Sequence, residues 1–128
     1  MPGGFDTHAG QAPTHAGLLA ELDEALGAFL GRLADRPVTV LIYSEFGRRV
    51  APNGSAGTDH GSAGTVLVAG RVRGGHLGDP PPLDDLTEGD LRTTTDFRAI
   101  YAGLLEGVLA VDAQDVLGPD VPRSLALI

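Results

Sequence analysis

The sequence predicts an α/β chain: part of a doubly wound parallel sheet flanked by helices, truncated at its amino terminus. Three observations lead there. Two short apolar runs, residues 38–43 and 65–69, lack polar alternation, as strands buried on both faces do. Two longer stretches repeat apolar residues at helical spacing. The resulting order is loop, helix, strand, loop, strand, loop, helix, and two strands alone do not make a stable sheet.

Residues 1–13 read as loop. From there Leu18, Leu19, Leu22, Ala25, Leu26, Phe29, Leu30 and Leu33 recur at helical spacing, with Glu21, Asp23, Glu24 and Arg32 between them. The spacing predicts a helix over 14–34, with Thr14 as N-cap and Pro37 forbidding continuation. Residues 38–43 form the first strand. Residues 44–63 form a long glycine-rich loop before the second strand at 65–69. Another loop, 70–90, holds Pro80, Pro81 and Pro82. Thr95 or Asp96 caps a second helix, whose apolar face is Phe97, Ile100, Tyr101, Leu104, Leu105, Val108 and Leu109. The apolar tail, Leu125 to Ile128, is too short to assign.

Composition limits the function classes. The 128 residues suit a single domain. Lys and Arg number 9 against 17 Asp and Glu, a formal charge of -8. That argues against non-specific nucleic-acid binding, which needs a basic face, and it disfavours anionic membranes. An anionic small-molecule or glycan substrate stays open, because bound cations invert a local field. The chain has no cysteine, which removes disulfides, thiolate metal sites and cysteine nucleophiles. No apolar run reaches the roughly 18 residues of a membrane span. The opening residues have neither the basic region nor the apolar core of a signal peptide.

Three clusters carry chemistry. Asp6 and His8 lie two apart in the first loop, and on an extended segment both point to one face, where a carboxylate and an imidazole can share a metal. The alternative is that Asp6 caps a turn and His8 is simply exposed. Glu45 directly follows the first strand, where α/β folds place their sites. It can equally pair with Arg48 or Arg49, and those arginines can instead hold an oxyanion. Asp59 and His60 sit between Gly57 and Gly61, glycines that allow a close backbone approach. Asp59 can also close a local turn. His15 reads as solvated, and His76 as part of a flexible loop. No Gly-x-Ser-x-Gly elbow, P-loop or dinucleotide fingerprint is present.

Taken together, Gly4-Phe5-Asp6-Thr7-His8, Ser44-Glu45-Phe46-Gly47-Arg48-Arg49, Asn53-Gly54, Gly57-Thr58-Asp59-His60-Gly61 and Thr95-Asp96-Phe97-Arg98 resemble the bacterial family known as domain of unknown function 1501. That family looks like a branch of the alkaline phosphatase and sulfatase superfamily. The resemblance implies an alkaline phosphatase-like sheet, of which residues 1–128 would be the carboxyl-terminal part. It implies divalent cations (zinc, manganese or calcium) and hydrolysis or transfer of phosphate or sulfate esters. Asp6 and His8 would match the Asp and His of one metal. Glu45 would stand at the superfamily's strand-end Asp-His pair, and His60 would be the later metal-binding histidine. A second alignment makes Asp59-His60 the Asp-His pair itself; segment order favours the first.

The sequence departs from that pattern where Glu45-Phe46 lacks the adjacent histidine and where the chain starts at the Asp-Thr-His loop. Family members are longer, with an amino-terminal half that should bring the first carboxylate ligand and a Ser or Thr nucleophile. They often carry an export signal, so the full-length relatives are expected to be periplasmic or exported. The expectation is therefore a metal-dependent hydrolase fragment, inactive by itself. Asp6, His8, Glu45 and His60 would be ligands, Asp59 a ligand or orienter, and Arg48 an anion contact. The alternative is a non-catalytic module that binds a metal or an anion. A homo-oligomer, or the missing half, would cover the open sheet edge.

Overall fold

A computed structural model describes residues 4–33 and 35–128. The expected helix end at Ala34 and the first three residues of the opening loop lie outside the described residues. In chain order the elements are α1 (Gln11–Arg32), β1 (Thr39–Ile42), β2 (Gly47–Arg48), β3 (His60–Gly61), β4 (Leu67–Gly70), α2 (Phe97–Gly107) and α3 (Ala113–Leu117).

Helix α1 begins three residues before the expected Thr14 cap. Gly10 precedes it with φ 50°, and no side chain caps it. Instead the amides of Gly10 and Gln11 donate to the carbonyls of Ser55 and Ala56, each at 3.0 Å. Loop backbone thus satisfies donors that would otherwise be orphaned, and Pro13 fits the first turn, where its missing N–H costs nothing. Leu18, Leu22, Leu26 and Leu30 repeat every four residues and are half-buried, while Leu19 and Phe29 are exposed. No residue of α1 is buried.

The strands do not pair as a parallel sheet. Among the described residues, β1 pairs with β4 and β2 with β3, and both pairs are antiparallel. A parallel pair needs a crossover of a dozen or more residues, usually helical. The segment between β1 and β4 holds no helix and folds back through β2 and β3. The result is one long irregular hairpin. Ile42 faces Leu67, and Gly47 faces Gly61. The chain therefore takes five steps on the first arm and six on the second, the count of a one-residue bulge.

Asp96, one of the two expected caps of α2, accepts the Arg98 amide at 2.9 Å. The buried side of α2 differs from the expected apolar face. Ala99, Ala102 and Gly103 are buried, whereas Phe97 and Leu109 are 62% and 63% exposed. The cause is the tail, which runs against the helix: Leu125 N–H donates to the Ala99 carbonyl at 2.9 Å. Only small side chains leave room for that backbone, and a Cβ on Gly103 would meet the Leu125 carbonyl and lie 3.1 Å from Leu127 Cδ1. Helix α3, capped by Asp112 through the Gln114 amide at 2.9 Å, packs on α2.

Among the described residues the buried hydrophobic side chains are Ala99, Ala102, Ala113 and Leu127, all in this carboxyl-terminal unit. The accessible surface is 8896 Å², against roughly 6400 Å² for a compact monomer of this mass. Much apolar surface, including Leu19 and Phe29 of α1, is left uncovered. No helix among the described residues is long and apolar enough to cross a membrane.

Candidate metal centre

The centre is built where the polar tip of the hairpin meets the loop before α1. Two segments far apart in sequence converge on one carboxylate oxygen. His8 Nε2 lies 2.9 Å from Asp6 Oδ1, and His60 Nε2 lies 2.7 Å from the same atom. Asp59 Oδ1 sits 3.6 Å from His8 Nδ1, on the other side of that ring. One ligand atom from each of Asp6, His8 and His60 falls within 4.8 Å of the others. The two imidazoles are about half exposed, and the Asp6 side chain is 64% exposed.

Hairpin register explains why His60 arrives there. Arg48 pairs with His60 across β2 and β3, so their side chains share a face. The Arg48 guanidinium donates through Nη1 to the Thr58 carbonyl and through Nη2 to the Phe5 carbonyl, both at 2.7 Å. One side chain thereby ties the loop carrying Asp6 and His8 to the segment carrying Asp59 and His60. Asn53 makes a second tie: its Nδ2 donates to the His8 carbonyl at 3.0 Å and to Asp59 Oδ1 at 3.1 Å. Its Oδ1 accepts the amides of Ser55 and Gly57, so the side chain is itself held in place.

Close backbone approach completes the assembly. Gly57 is buried, and a Cβ there would overlap the His8 carbonyl. A Cβ on Gly61 would lie 2.6 Å from the Arg48 carbonyl carbon. These positions admit glycine only, which is how the loops pack without a hydrophobic filling. The one cost visible here is the Thr7 hydroxyl, whose oxygen is buried without a hydrogen-bond partner.

Electrostatics follow the hydrogen bonds. The contact with His60 holds the Asp6 carboxyl below its ordinary range, helped by His8 and opposed by partial desolvation. The Asn53 amide does the same for Asp59, with smaller help from His8 and Arg49. Both carboxylates are therefore in their anionic, metal-binding form at neutral pH. Two imidazole nitrogens and one carboxylate oxygen make a donor set suited to zinc and other first-row divalent ions. Calcium prefers an all-oxygen shell, which these donors do not form.

The sequence-predicted residues separate cleanly in space. Asp6, His8 and His60 converge, and Asp59 stands beside His8. Glu45 is exposed and does not belong to the converging group. Arg48 has two of its five N–H donors committed to backbone carbonyls. His15 packs edge-on to Phe5 at 6.0 Å, and His76 is exposed. Sequence pattern alone assigns no role to Asn53 or Phe46. Asn53-Gly54 reads as an ordinary turn signal, and nothing local reveals that the Asn53 amide reaches two other loops.

Residues 1–110 match a family described as protein of unknown function (DUF1501). Neither the curated proteins nor the solved structures contain a match to the chain.

Proposed function

The chain belongs to the DUF1501 family, and we propose that it carries a divalent-metal centre of hydrolase type, acting in its full-length form on phosphate or sulfate esters. The observation that supports this reading is the convergence of His8 and His60 on Asp6 Oδ1 from segments more than fifty residues apart. Asp6, His8 and His60 would hold the ion, with zinc or manganese suited to the nitrogen donors better than calcium. Asp59 Oδ1 lies 3.6 Å from His8 Nδ1, on the far side of that ring, the place from which outer carboxylates orient ligating imidazoles. When bound, the cation would supply charge stabilisation at a phosphoryl or sulfuryl oxygen and activate an attacking oxygen for in-line displacement.

This chain's own residues bind and orient. Arg48 has three N–H donors beyond its two carbonyl contacts, and these would suit an anionic oxygen. Glu45 would reach the ion only from the exposed turn before β2. No serine or threonine hydroxyl among the described residues bonds to a histidine or carboxylate, the arrangement an activated nucleophile needs. Turnover is therefore assigned to a larger domain of which these residues form a part. The roughly 2500 Å² of surface in excess of a compact monomer supports a covering partner, either the rest of that domain or a second copy. The lack of a paired nucleophile also favours a second reading, a metal- or anion-binding module without catalysis.

The test is metal content of the purified chain by elemental mass spectrometry, beside Asp6→Asn and His60→Ala. Near-stoichiometric zinc or manganese, lost in both variants, is the expected result. Absence of metal after incubation with each ion overturns the metal reading. Turnover of an aryl phosphate or sulfate by the metal-loaded chain would remove the non-catalytic alternative.

A further inference from the structure

The centre contains an aromatic side chain whose placement the ligand set does not explain. The Phe46 ring stacks on the His60 imidazole with centroids 4.0 Å apart and planes 9° from parallel. The Arg48 guanidinium carbon lies over the same Phe46 ring, 5.0 Å from its centroid. On its other neighbour, His60 meets the His8 ring at 4.8 Å, tilted by 38°. We propose that Phe46 is a positioning residue for His60, and that Arg48 holds Phe46 and both ligand segments in the register the centre requires. This rests on the metal reading above.

Register supplies the reason for the stack. Arg48 is directly opposite His60 across β2 and β3, and Phe46 immediately precedes β2, two residues before Arg48. Side chains two apart on a strand share a face, and a diagonal cross-strand neighbour lies within reach of an aromatic ring. Phe46, Arg48 and His60 therefore meet on one face of a hairpin tip that has almost no core beneath it. Beyond its contacts with Asp6 and the tilted His8 ring, a half-exposed imidazole on a two-residue strand has little to select its rotamer. A flat ring laid parallel to it sets the imidazole plane, so that Nε2 stays aimed at Asp6. A flexible aliphatic side chain covers the same area without setting a plane. Arg48 acts on both parts at once: it lies against the Phe46 ring while its two N–H donors fasten the Phe5 and Thr58 carbonyls.

The experiment is zinc chloride titration by calorimetry on the full chain, comparing the unmodified protein with Phe46→Leu, Phe46→Tyr and Arg48→Lys. Thermal midpoints are measured for each, and nitrogen-detected imidazole spectra are recorded without metal. Phe46→Leu is expected to weaken zinc binding about tenfold at an unchanged midpoint, the scale of losing an outer-shell orienter. Phe46→Tyr restores the ring plane and should bind as the unmodified chain does. Arg48→Lys keeps the charge but loses the fork, and should weaken binding and broaden the amide signals of both ligand segments. Equal zinc affinity in Phe46→Leu and the unmodified chain would overturn the positioning role while leaving the metal reading intact. If the unmodified chain binds no zinc, the metal reading fails and the metal-free spectra decide. A single His60 tautomer that becomes mixed in Phe46→Leu supports the stack as an orienting device, and identical spectra sink it. Should Phe46→Leu not fold, Phe46→Met makes the same comparison.

Discussion

The hairpin tip and the α2–α3 unit are held together by different physics. In the α2–α3 unit every buried hydrophobic residue of the described chain is gathered: Ala99, Ala102, Ala113 and Leu127 close around a helix whose small residues admit the tail. At the hairpin tip the buried positions are Gly47 and Gly57, and the ties are hydrogen bonds from Arg48 and Asn53 to carbonyls of other loops. Apolar burial is non-directional and tolerates small shifts, whereas forked and bidentate polar contacts specify distance and angle. The convergence of Asp6, His8 and His60 within a few ångströms rests on the second kind. The cost is low local stability, since polar ties exchange with water at little net gain.

Breaking one region while leaving the other intact tests that division. The largest effect is expected from Gly57→Ala, which drives a Cβ into the His8 carbonyl. The native loop contact should be lost at a cost above about 3 kcal/mol, since backbone cannot yield as a side chain does. Zinc binding should disappear while the amide spectrum of α2 and α3 stays unchanged; loss of both together would mean that the regions fold as one unit.

The converse change is Leu127→Ala, which opens a cavity at a side chain only 3% exposed. It should lower stability by about 2–3 kcal/mol in denaturant melts. The affinity of the centre for zinc should hold, and a parallel fall would join the two regions energetically.

A smaller, pH-dependent effect belongs to the α2 cap. The Arg98 side chain and amide hold the Asp96 carboxyl below its ordinary range. A carboxyl depressed in the folded state adds stability above its unfolded value, and that contribution is lost as pH falls through the folded one. Asp96→Asn should therefore melt a few degrees lower at pH 7, and the gap should close below about pH 4. A gap that persists in acid would assign the cap to shape rather than charge.

The two halves also differed in how readable they were. The α1 stripe, the two apolar strands, the Asp96 cap and the polar clusters follow from local pattern, and each is visible within a few neighbouring residues. Strand direction was not, because residues 38–43 and 65–69 have the same apolar character in a parallel or an antiparallel pair. The buried side of α2 was misread for a related reason. Periodicity ranks Phe97 and Leu109 above Ala99 and Ala102, but the tail packs too closely for large side chains. Helix α3 is a single short turn, below the length at which periodicity speaks.

In the centre, the sequence by itself determined which chemistry was available: an Asp-x-His loop, an Asp-His pair between glycines, an acidic chain without cysteine, and the motifs that carry family membership. Only the tertiary structure decided that Asp6, His8 and His60 converge while Glu45 stays outside, and that Phe46, Arg48 and Asn53 build the frame around them. The physical reason is hairpin register. The pairing of Arg48 with His60 decides which side chains share a face, and a register across eleven intervening residues leaves no mark in local sequence pattern.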